Sequence, residues 1–184
     1  EAGMRSYDKR MYEEINRTVC DHCSDYLFVY HENYKQKAMK ENISGDQIFV
    51  VGNTIVEVAQ EMKEILFKEP NLNSHIILDI HRPENFNDKN RLENIIEYAN
   101  AMSTIYELPV KMLNFGRTEQ KLLQYDIKLK DIELIPLMSF KNYTKAVYDS
   151  KFIISDSGTA QEEPALFNTP VIVPRDFTER PESV

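Results

Sequence analysis

Short apolar runs alternate with helix-compatible segments along the whole chain, and this alternation limits the fold more than any other feature of the sequence. The apolar runs predict β-strands over residues 26–30, 47–51, 76–78, 110–113, 132–135, 152–154 and 170–173. The segments between them predict helices over residues 12–25, 34–41, 54–67, 90–103, 120–124 and 143–148. Because strands that alternate with helices usually form a parallel sheet covered on both faces, the predicted class is α/β.

The composition excludes several broad functions. Hydrophobic residues make up 42% of the 184 residues and charged residues 28%, which is typical of a folded globular protein. The net charge of −8 leaves no broad cationic surface, so we expect no nucleic-acid partner. No apolar run has the length of a membrane span and the first residues lack a signal-peptide pattern, so we expect a cytoplasmic protein without a membrane partner.

The stretch Ile154-Ser-Asp-Ser-Gly158 follows a predicted strand and predicts a glycine-containing turn before a helix that ends near Leu166. The backbone N–H groups of such a turn, together with the helix dipole, favour a bound phosphate. Ser157 adds a hydroxyl donor, and Glu163 could accept two hydrogen bonds from a ribose diol. The alternative is that Ser-Asp-Ser-Gly only caps a helix.

Three polar loops follow predicted strands, at residues 81–85, 155–158 and 175–180. Ligands of open parallel sheets bind at the carboxyl ends of the strands, so these loops predict one shared site. In the first loop, His81 and Arg82 offer an imidazole and a guanidinium to a phosphate. The alternative for these two residues is a loop ion pair with Glu84 or Asp79.

Two other sets of residues have ordinary structural explanations. Glu13 and Glu14 lie near a helix start, where the dipole stabilises carboxylates whether or not they have a function. Cys20 and Cys23 form a C-x-x-C pattern, but the sequence has no second cysteine pair to complete a tetrahedral zinc site. We interpret both cysteines as ordinary residues of the first helix.

Several motifs occur in order along the chain and together resemble those of the non-hydrolysing UDP-N-acetylglucosamine 2-epimerases. The motifs are Glu1-Ala-Gly-Met-Arg5, Glu13-Glu-Ile-Asn-Arg17, Gly52-Asn-Thr54, His81-Arg-Pro-Glu-Asn85, Ser155-Asp-Ser-Gly158 with Gln161-Glu-Glu163, and Thr178-Glu-Arg-Pro-Glu182. The resemblance implies a glycosyltransferase-B-like fold of two Rossmann-type domains with the nucleotide sugar between them. Residues 1–56 would then be the later part of the N-terminal domain and residues 57–184 most of the C-terminal UDP-binding domain of a truncated chain.

The resemblance also implies an isomerase activity. Such an enzyme interconverts UDP-N-acetylglucosamine and UDP-N-acetylmannosamine by eliminating UDP across C1 and C2 and adding it back, without a metal or a nicotinamide cofactor. Glu1 and Glu13 match carboxylates that exchange the C2 proton, and His81 matches a histidine beside the diphosphate. The family resemblance further implies a homodimer.

The resemblance assigns the contacts with UDP to a further set of residues. Tyr143 matches an aromatic residue that contacts uracil, with Phe140 as a second candidate, and Glu163 matches the ribose ligand. The complete set is Arg82, Tyr143, Ser157, Gly158, Thr159, Glu163 and Arg180.

The sequence departs from the family pattern at three positions. Thr159 replaces a second glycine, as in relatives that act on 6-deoxy sugars, and Tyr12 replaces a proline. Phe115 occupies the position of a histidine associated with activation by a second nucleotide sugar, which puts such activation in doubt. The alternatives are an epimerase of another UDP-2-acetamido sugar, a glycosyltransferase on the same fold, and a UDP-binding chain without catalysis.

Overall fold

The computed structural model describes residues 1–180, which divide into two compact units. The first unit comprises Glu1–Val58 together with the described residues from Asp176, and the second comprises Ala59–Arg175. No helix among the described residues is long and apolar enough to span a lipid bilayer.

The first unit contains a two-stranded parallel sheet and two helices. The helices are α1 (Tyr12–Cys23) and α2 (Glu32–Lys40), and the strands are β1 (Leu27–Val29) and β2 (Ile48–Val50). Leu27 lies opposite Ile48 in the register of the two strands. Apolar residues of the strands and of α2 form the core of this unit, namely Met4, Leu27, Val29, Tyr34, Ala38, Ile43 and Ile48.

Gly3 has a structural role in the first motif of the chain. Its φ of +73° is one that residues with a side chain rarely adopt. A Cβ atom at this position would lie 2.5 Å from the carbonyl oxygen of Tyr34 on α2. Glycine therefore allows the amino-terminal segment to approach the helix closely.

The second unit is built on a five-stranded parallel sheet. Its strands are β3 (His75–Asp79), β4 (Val110–Leu113), β5 (Ile132–Ile135), β6 (Ser150–Ser155) and β7 (Val171–Ile172), in the order β5-β4-β3-β6-β7. Helix α3 (Ile55–Leu66) begins in the first unit and ends in the second. The other helices are α4 (Pro83–Phe86), α5 (Lys89–Tyr106), α6 (Gly116–Tyr125) and α7 (Phe140–Asp149).

Alternate residues of the central strand β3 pack on opposite faces of the sheet. Ile76 and Leu78 pack with Leu92 of α5, whereas Ile77 packs with Val147 of α7. All five residues of β3 are buried, as expected for a strand with helices on both faces. The prediction of an α/β chain with parallel sheets is confirmed.

Several helices are longer than their apolar pattern predicts. α5 begins after Asp88, whose carboxylate accepts a hydrogen bond from the N–H of Arg91. α6 spans Gly116–Tyr125 instead of residues 120–124, and α7 begins after a Ser139 cap instead of at Tyr143. Hydrophobic periodicity alone does not detect these polar first turns.

The helix predicted after Gly158 is wrong. This segment forms two short 3₁₀ turns, Thr159–Gln161 and Pro164–Phe167, rather than one α-helix. Pro164 has no N–H to donate, and Glu162 before the second turn has a non-helical φ of −123°. The dipole of a long helix therefore does not act at this turn, and any anion here would be bound by individual N–H and hydroxyl donors.

Candidate functional site

The strand order of the second unit brings two of the predicted loops together. β3 and β6 are neighbours in the sheet, and Asp79 lies opposite Ser155 at their carboxyl ends. The loops that follow these residues contain the His81 motif and the Ser157 turn. Residues 75 positions apart in the sequence therefore come within hydrogen-bond distance.

Asp79 lies at the centre of this arrangement and is 4% exposed. Its Oδ1 atom lies 2.9 Å from Nδ1 of His81. Its Oδ2 atom accepts hydrogen bonds from the hydroxyl of Ser155 at 2.9 Å and from that of Tyr143 at 3.4 Å. The Ser155 hydroxyl in turn accepts a hydrogen bond from the N–H of Ser157 at 3.1 Å, which links the two loops.

Asp156 holds the His81 loop in place and is fully buried. Its carboxylate accepts hydrogen bonds from the backbone N–H groups of His81 and Arg82, each at 3.0 Å, and from the side-chain amide of Asn85 at 2.8 Å. Burial raises the pKa of Asp156, while the charge of His81 and these hydrogen bonds oppose the rise. The sequence analysis assigned no role to Asp156, although its position directly after a strand was a usable signal.

The imidazole of His81 contacts the carboxylate of Asp79 at Nδ1 and the ring of Phe115 on its face. Burial lowers its pKa, but the hydrogen bond to Asp79 and the charges of Asp79 and Asp156 outweigh that effect, so the pKa is raised above 6.5. The ring of Phe115 lies against the imidazole with centroids 4.8 Å apart. The ion pair with Asp79, one of the alternatives that the sequence left open, is therefore present, and it occupies Nδ1 rather than Nε2.

Four of the predicted UDP-binding residues line one small cavity in the second unit. The cavity has a volume of about 50 Å³, and its lining includes Tyr143, Ser157, Thr159 and Glu163 together with Asp79. Burial, followed by the charge and hydrogen bond of Asp79 and the charge of Glu163, raises the pKa of Tyr143 well above its usual range. Tyr143 is thus a neutral phenol that donates a hydrogen bond to Asp79.

The remaining predicted residues of the second unit lie beside this cavity. Arg82 precedes α4, where its N–H contacts Asp156. Gly158 is buried with a φ of −62°, a conformation open to any residue, so its backbone does not explain why a glycine is present. Phe140, the second candidate for a uracil contact, is the exposed first residue of α7 and is absent from the cavity lining.

Asp79, His81 and Asp156 place potential metal ligands within 4.8 Å of one another. The oxygen atoms of both carboxylates already accept hydrogen bonds from protein donors. Metal binding through Nδ1 of His81 would also require its contact with Asp79 to be broken. The cluster is therefore better described as a hydrogen-bonded network that orients His81.

In the first unit, Glu1 lies between two arginines. Its Oε2 atom lies 2.6 Å from Nη2 of Arg17, and its Oε1 atom lies 3.1 Å from Nη2 of Arg180. Partial burial alone would raise the pKa of Glu1, but the hydrogen bonds and charges of Arg17 and Arg180 lower it to about 2. The carboxylate is therefore ionised at neutral pH.

The two adjacent glutamates of α1 have different surroundings. Glu14 is buried and accepts hydrogen bonds from the N–H groups of Ser6 at 2.9 Å and Tyr7 at 2.8 Å. Glu14 also contacts Arg17 at 3.2 Å, one turn along the same face of the helix. Glu13, the predicted catalytic residue, is exposed on the helix surface.

Arg180 is 1% exposed and also pairs with Glu179 at 2.5 Å. Pro181 and Glu182, the last residues of the predicted Thr178-to-Glu182 motif, lie outside the described residues. Cys20 and Cys23 are exposed, unpaired thiols on α1, as expected for ordinary helix residues.

Comparison with known proteins identifies the family. The family model described as UDP-N-acetylglucosamine 2-epimerase matches residues 1–184. The chain belongs to this family. The resemblance that the ordered motifs predicted is therefore confirmed.

Curated members of the UDP-N-acetylglucosamine 2-epimerase family are longer than this chain. The enzyme of that name from Methanocaldococcus jannaschii is 36% identical over 199 aligned residues, which cover all of this chain and 54% of the relative. A UDP-2,3-diacetamido-2,3-dideoxy-D-glucuronate 2-epimerase from Pseudomonas aeruginosa is 31% identical, with 100% and 53% of the two chains covered. The chain thus spans about half the length of these relatives.

Solved structures of family members show the same fold. The M. jannaschii epimerase in complex with UDP-GlcNAc and UDP matches with a TM-score of 0.89 and 35% identity, over 100% of this chain and 54% of the other. The Neisseria meningitidis epimerase bound to UDP-GlcNAc matches with a TM-score of 0.81 and 25% identity, also over 100% and 54%. These likenesses confirm the predicted α/β, glycosyltransferase-B-like fold class.

Proposed function

We propose that this chain carries the UDP-binding residues and several catalytic groups of an enzyme that interconverts UDP-N-acetylglucosamine and UDP-N-acetylmannosamine. The observation that supports this most is the shared cavity lined by Tyr143, Ser157, Thr159 and Glu163, beside the His81–Asp79 pair. Family membership and the UDP-GlcNAc complexes of two relatives support the same substrate class.

In this proposal each residue of the cavity contacts one part of UDP. Glu163 accepts hydrogen bonds from the two ribose hydroxyls, and the ring of Tyr143 packs against uracil. Ser157, Gly158 and Thr159 supply N–H and hydroxyl donors to the phosphates, with Arg82 as a nearby cation. Arg180 of the first unit is also proposed to bind the substrate. In this structure its guanidinium forms ion pairs with Glu1 and Glu179.

The reaction begins with loss of the proton from C2 of the sugar to a carboxylate. The bond between C1 and the β-phosphate oxygen breaks, its electron pair stays on that oxygen, and a double bond forms between C1 and C2. His81 donates a hydrogen bond to the departing diphosphate, which stabilises the charge that develops there. Re-addition of UDP with a proton delivered to the opposite face of C2 gives the epimer.

The two predicted carboxylates suit different parts of this reaction. With a pKa of about 2, Glu1 is a weak base and is not protonated near neutral pH. We therefore assign proton transfer on one face of C2 to Glu13, which is exposed on α1, and charge balance with Arg17 and Arg180 to Glu1. A second acid–base group on the opposite face of C2 completes the inversion. No metal or nicotinamide cofactor enters the proposed reaction.

Proton NMR of UDP-N-acetylglucosamine in D₂O tests the proposal, with protein expressed from its complete reading frame. We expect deuterium to enter C2 together with appearance of the manno epimer. A His81→Gln variant should bind UDP but exchange C2 more slowly. UDP binding without any exchange would contradict the proposed activity and favour a chain that only binds UDP.

A second substrate is favoured by one observation. The P. aeruginosa relative, named for a diacetamido glucuronate sugar, is 31% identical, which is within the range of the glucosamine epimerases. The same NMR assay with another UDP-2-acetamido sugar, including a 6-deoxy sugar, would show whether this substrate reacts faster. A cytoplasmic location stays a prediction from the sequence, and a homodimer stays a prediction from the family resemblance.

A further inference from the structure

We propose that Asp79 is a positioning residue that holds His81 through Nδ1, so that Nε2–H is directed to the departing diphosphate. This inference rests on the function proposed above and assigns a role to a residue that the sequence motifs did not single out. Asp79 would not contact the substrate diphosphate itself.

The geometry distinguishes Asp79 from the other carboxylate near His81. Asp79 Oδ1 lies 2.9 Å from Nδ1, whereas the closest oxygen of Asp156 lies 3.3 Å away. Both oxygens of Asp156 already accept N–H bonds from His81, Arg82 and Asn85. Asp79 is therefore the acceptor for the imidazole, and Asp156 is the anchor of the loop backbone.

This contact fixes the roles of the two ring nitrogens. An ionised Asp79 accepts a hydrogen bond, so Nδ1 must carry a proton in both the neutral and the charged imidazole. Nε2 has no hydrogen-bond partner among residues 1–180, and it carries a proton only in the charged form. Donation to a leaving group therefore requires imidazolium.

The charges around His81 favour that form overall. Asp79 at the end of β3 and Asp156 after β6 stabilise the imidazolium, while Arg82 before α4 opposes it. Phe115, between β4 and α6, covers the ring with an uncharged surface. Burial also disfavours the charge, so the two carboxylates must compensate for both effects.

Asp79 also connects His81 with the nucleotide residues. Its second oxygen accepts the hydroxyls of Tyr143 and Ser155, and Ser155 accepts the N–H of Ser157. The carboxylate of Asp79 thus connects His81 with Tyr143, which is proposed to contact uracil, and with the turn at Ser157, which is proposed to contact the phosphates. A neutral residue of the same size would keep the volume but lose the charge that attracts the imidazolium.

The first test is ¹⁵N NMR of the histidine side chains in protein expressed from its complete reading frame. Spectra of His81→Gln identify the His81 signals among the four histidines. Above the pKa of His81 we expect the neutral ring to carry its proton on Nδ1. A neutral His81 ring that carries its proton mainly on Nε2 would overturn the proposal. This result comes from the wild-type protein, so it does not depend on the folding of a variant.

The second test compares Asp79→Asn with Asp131→Asn. Asp131 is exposed and directly precedes β5, at the opposite end of the strands from the site, which makes it a control for loss of one charge. We expect Asp79→Asn to lower kcat about 10- to 100-fold with KM changed less than about threefold. The alkaline limb of the pH–kcat profile should move to lower pH, together with the NMR titration of His81.

A purely structural role would reduce the amount of folded enzyme without moving the alkaline limb. An alkaline limb in Asp79→Asn identical with that of wild type would therefore overturn the proposal. Wild-type protein that shows the Nδ1-protonated ring but no C2 exchange would refute the proposed function while the Asp79–His81 arrangement stands. Exchange in wild type with an unshifted His81 titration in Asp79→Asn would refute the role of Asp79 alone.

Discussion

Arg180 donates a hydrogen bond to Glu1 across 3.1 Å, although the two lie 179 positions apart in the sequence. Arg17 holds the other oxygen of the same carboxylate. Glu1 is thereby fixed between two guanidinium groups of the first unit. This arrangement lowers its pKa and bears on both the stability of the fold and the proposed chemistry.

The ion pairs of Glu1 predict how stability changes with pH. The pKa of Glu1 is about 2 in the folded chain against an ordinary 4.5, so the ion pairs stabilise the fold above about pH 4.5. That contribution is lost as the pH falls from 4.5 towards 2. We expect Glu1→Gln to cost about 1 kcal/mol at pH 7, since solvent screens the half-exposed side chain.

Urea denaturation of wild type and Glu1→Gln at several pH values measures this contribution. The difference in free energy of unfolding should shrink as the pH falls below 4.5. Glu97→Gln, at an exposed position of α5, serves as the control. A difference that stays constant between pH 7 and pH 2.5 would show that the pairs with Arg17 and Arg180 do not contribute as stated.

Substitution of the two adjacent glutamates of α1 should change the free energy of unfolding by very different amounts. Glu14→Ala removes a buried acceptor from the N–H groups of Ser6 and Tyr7 and should lower the free energy of unfolding by about 3 kcal/mol. Glu13→Gln, at an exposed position, should change it by less than about 0.5 kcal/mol.

The epimerase assay then separates their functions. Glu13→Gln should keep UDP affinity and stability but lose turnover, because it removes the proposed proton-transfer group. An active Glu13→Gln enzyme would exclude this role. Comparison with Glu14→Gln indicates whether any lost activity follows from a displaced Ser6–Tyr7 segment instead.

The contribution of Glu163 to UDP affinity should depend on the ribose hydroxyls. Loss of one or two charge-assisted hydrogen bonds in Glu163→Ala should weaken UDP binding about 10- to 100-fold. The effect should be much smaller for 2′-deoxy-UDP, which lacks one of the hydroxyls. Calorimetry with both nucleotides, and with Glu133→Ala at an exposed position of β5 as control, tests the contact. Equal losses for the two nucleotides would exclude a contact of Glu163 with the 2′-hydroxyl and overturn the proposed pairing with both hydroxyls.

Tyr143 predicts separate effects of its ring and its hydroxyl. Tyr143→Phe keeps the ring and loses only the hydrogen bond to Asp79, so UDP affinity should fall less than about threefold. Tyr143→Ala removes the surface proposed for uracil and should weaken binding about 10-fold or more. Calorimetry measures the UDP affinity of both variants. Equal affinities of Tyr143→Phe and Tyr143→Ala for UDP would contradict the uracil assignment.

Much of the fold followed from local patterns in the sequence. The apolar runs located all the strands of both sheets to within two residues, and their alternation with helices predicted parallel pairing. The helix predicted after Gly158 was wrong, although the proline at position 164 was a visible signal against a continuous helix. The first turn of α6 and the Ser139 cap of α7 were missed because their polar residues carry no hydrophobic periodicity.

The candidate site depended more strongly on long-range structure. The sequence identified His81, Ser157 and Glu163, but it left the partner of His81 open between a phosphate, Glu84 and Asp79, and it gave no role for Asp156. The contacts of Asp156 with the His81 loop and of Asp79 with Ser155 follow from the order of β3 and β6 in the sheet. A sequence pattern does not specify which strands become neighbours, so it could not show that Asp156 anchors the His81 loop.

The sequence by itself therefore determined the α/β class, the parallel strands and the ordered family motifs, because these depend on short-range periodicity and on residue identity. Only the tertiary structure decided that Glu14 rather than Glu13 is buried, that two arginines hold Glu1, and that Asp79 orients His81. The physical reason is that the burial, pKa and partners of a polar side chain depend on distances of a few ångströms, which the folded chain sets even between close residues such as Asp79 and His81.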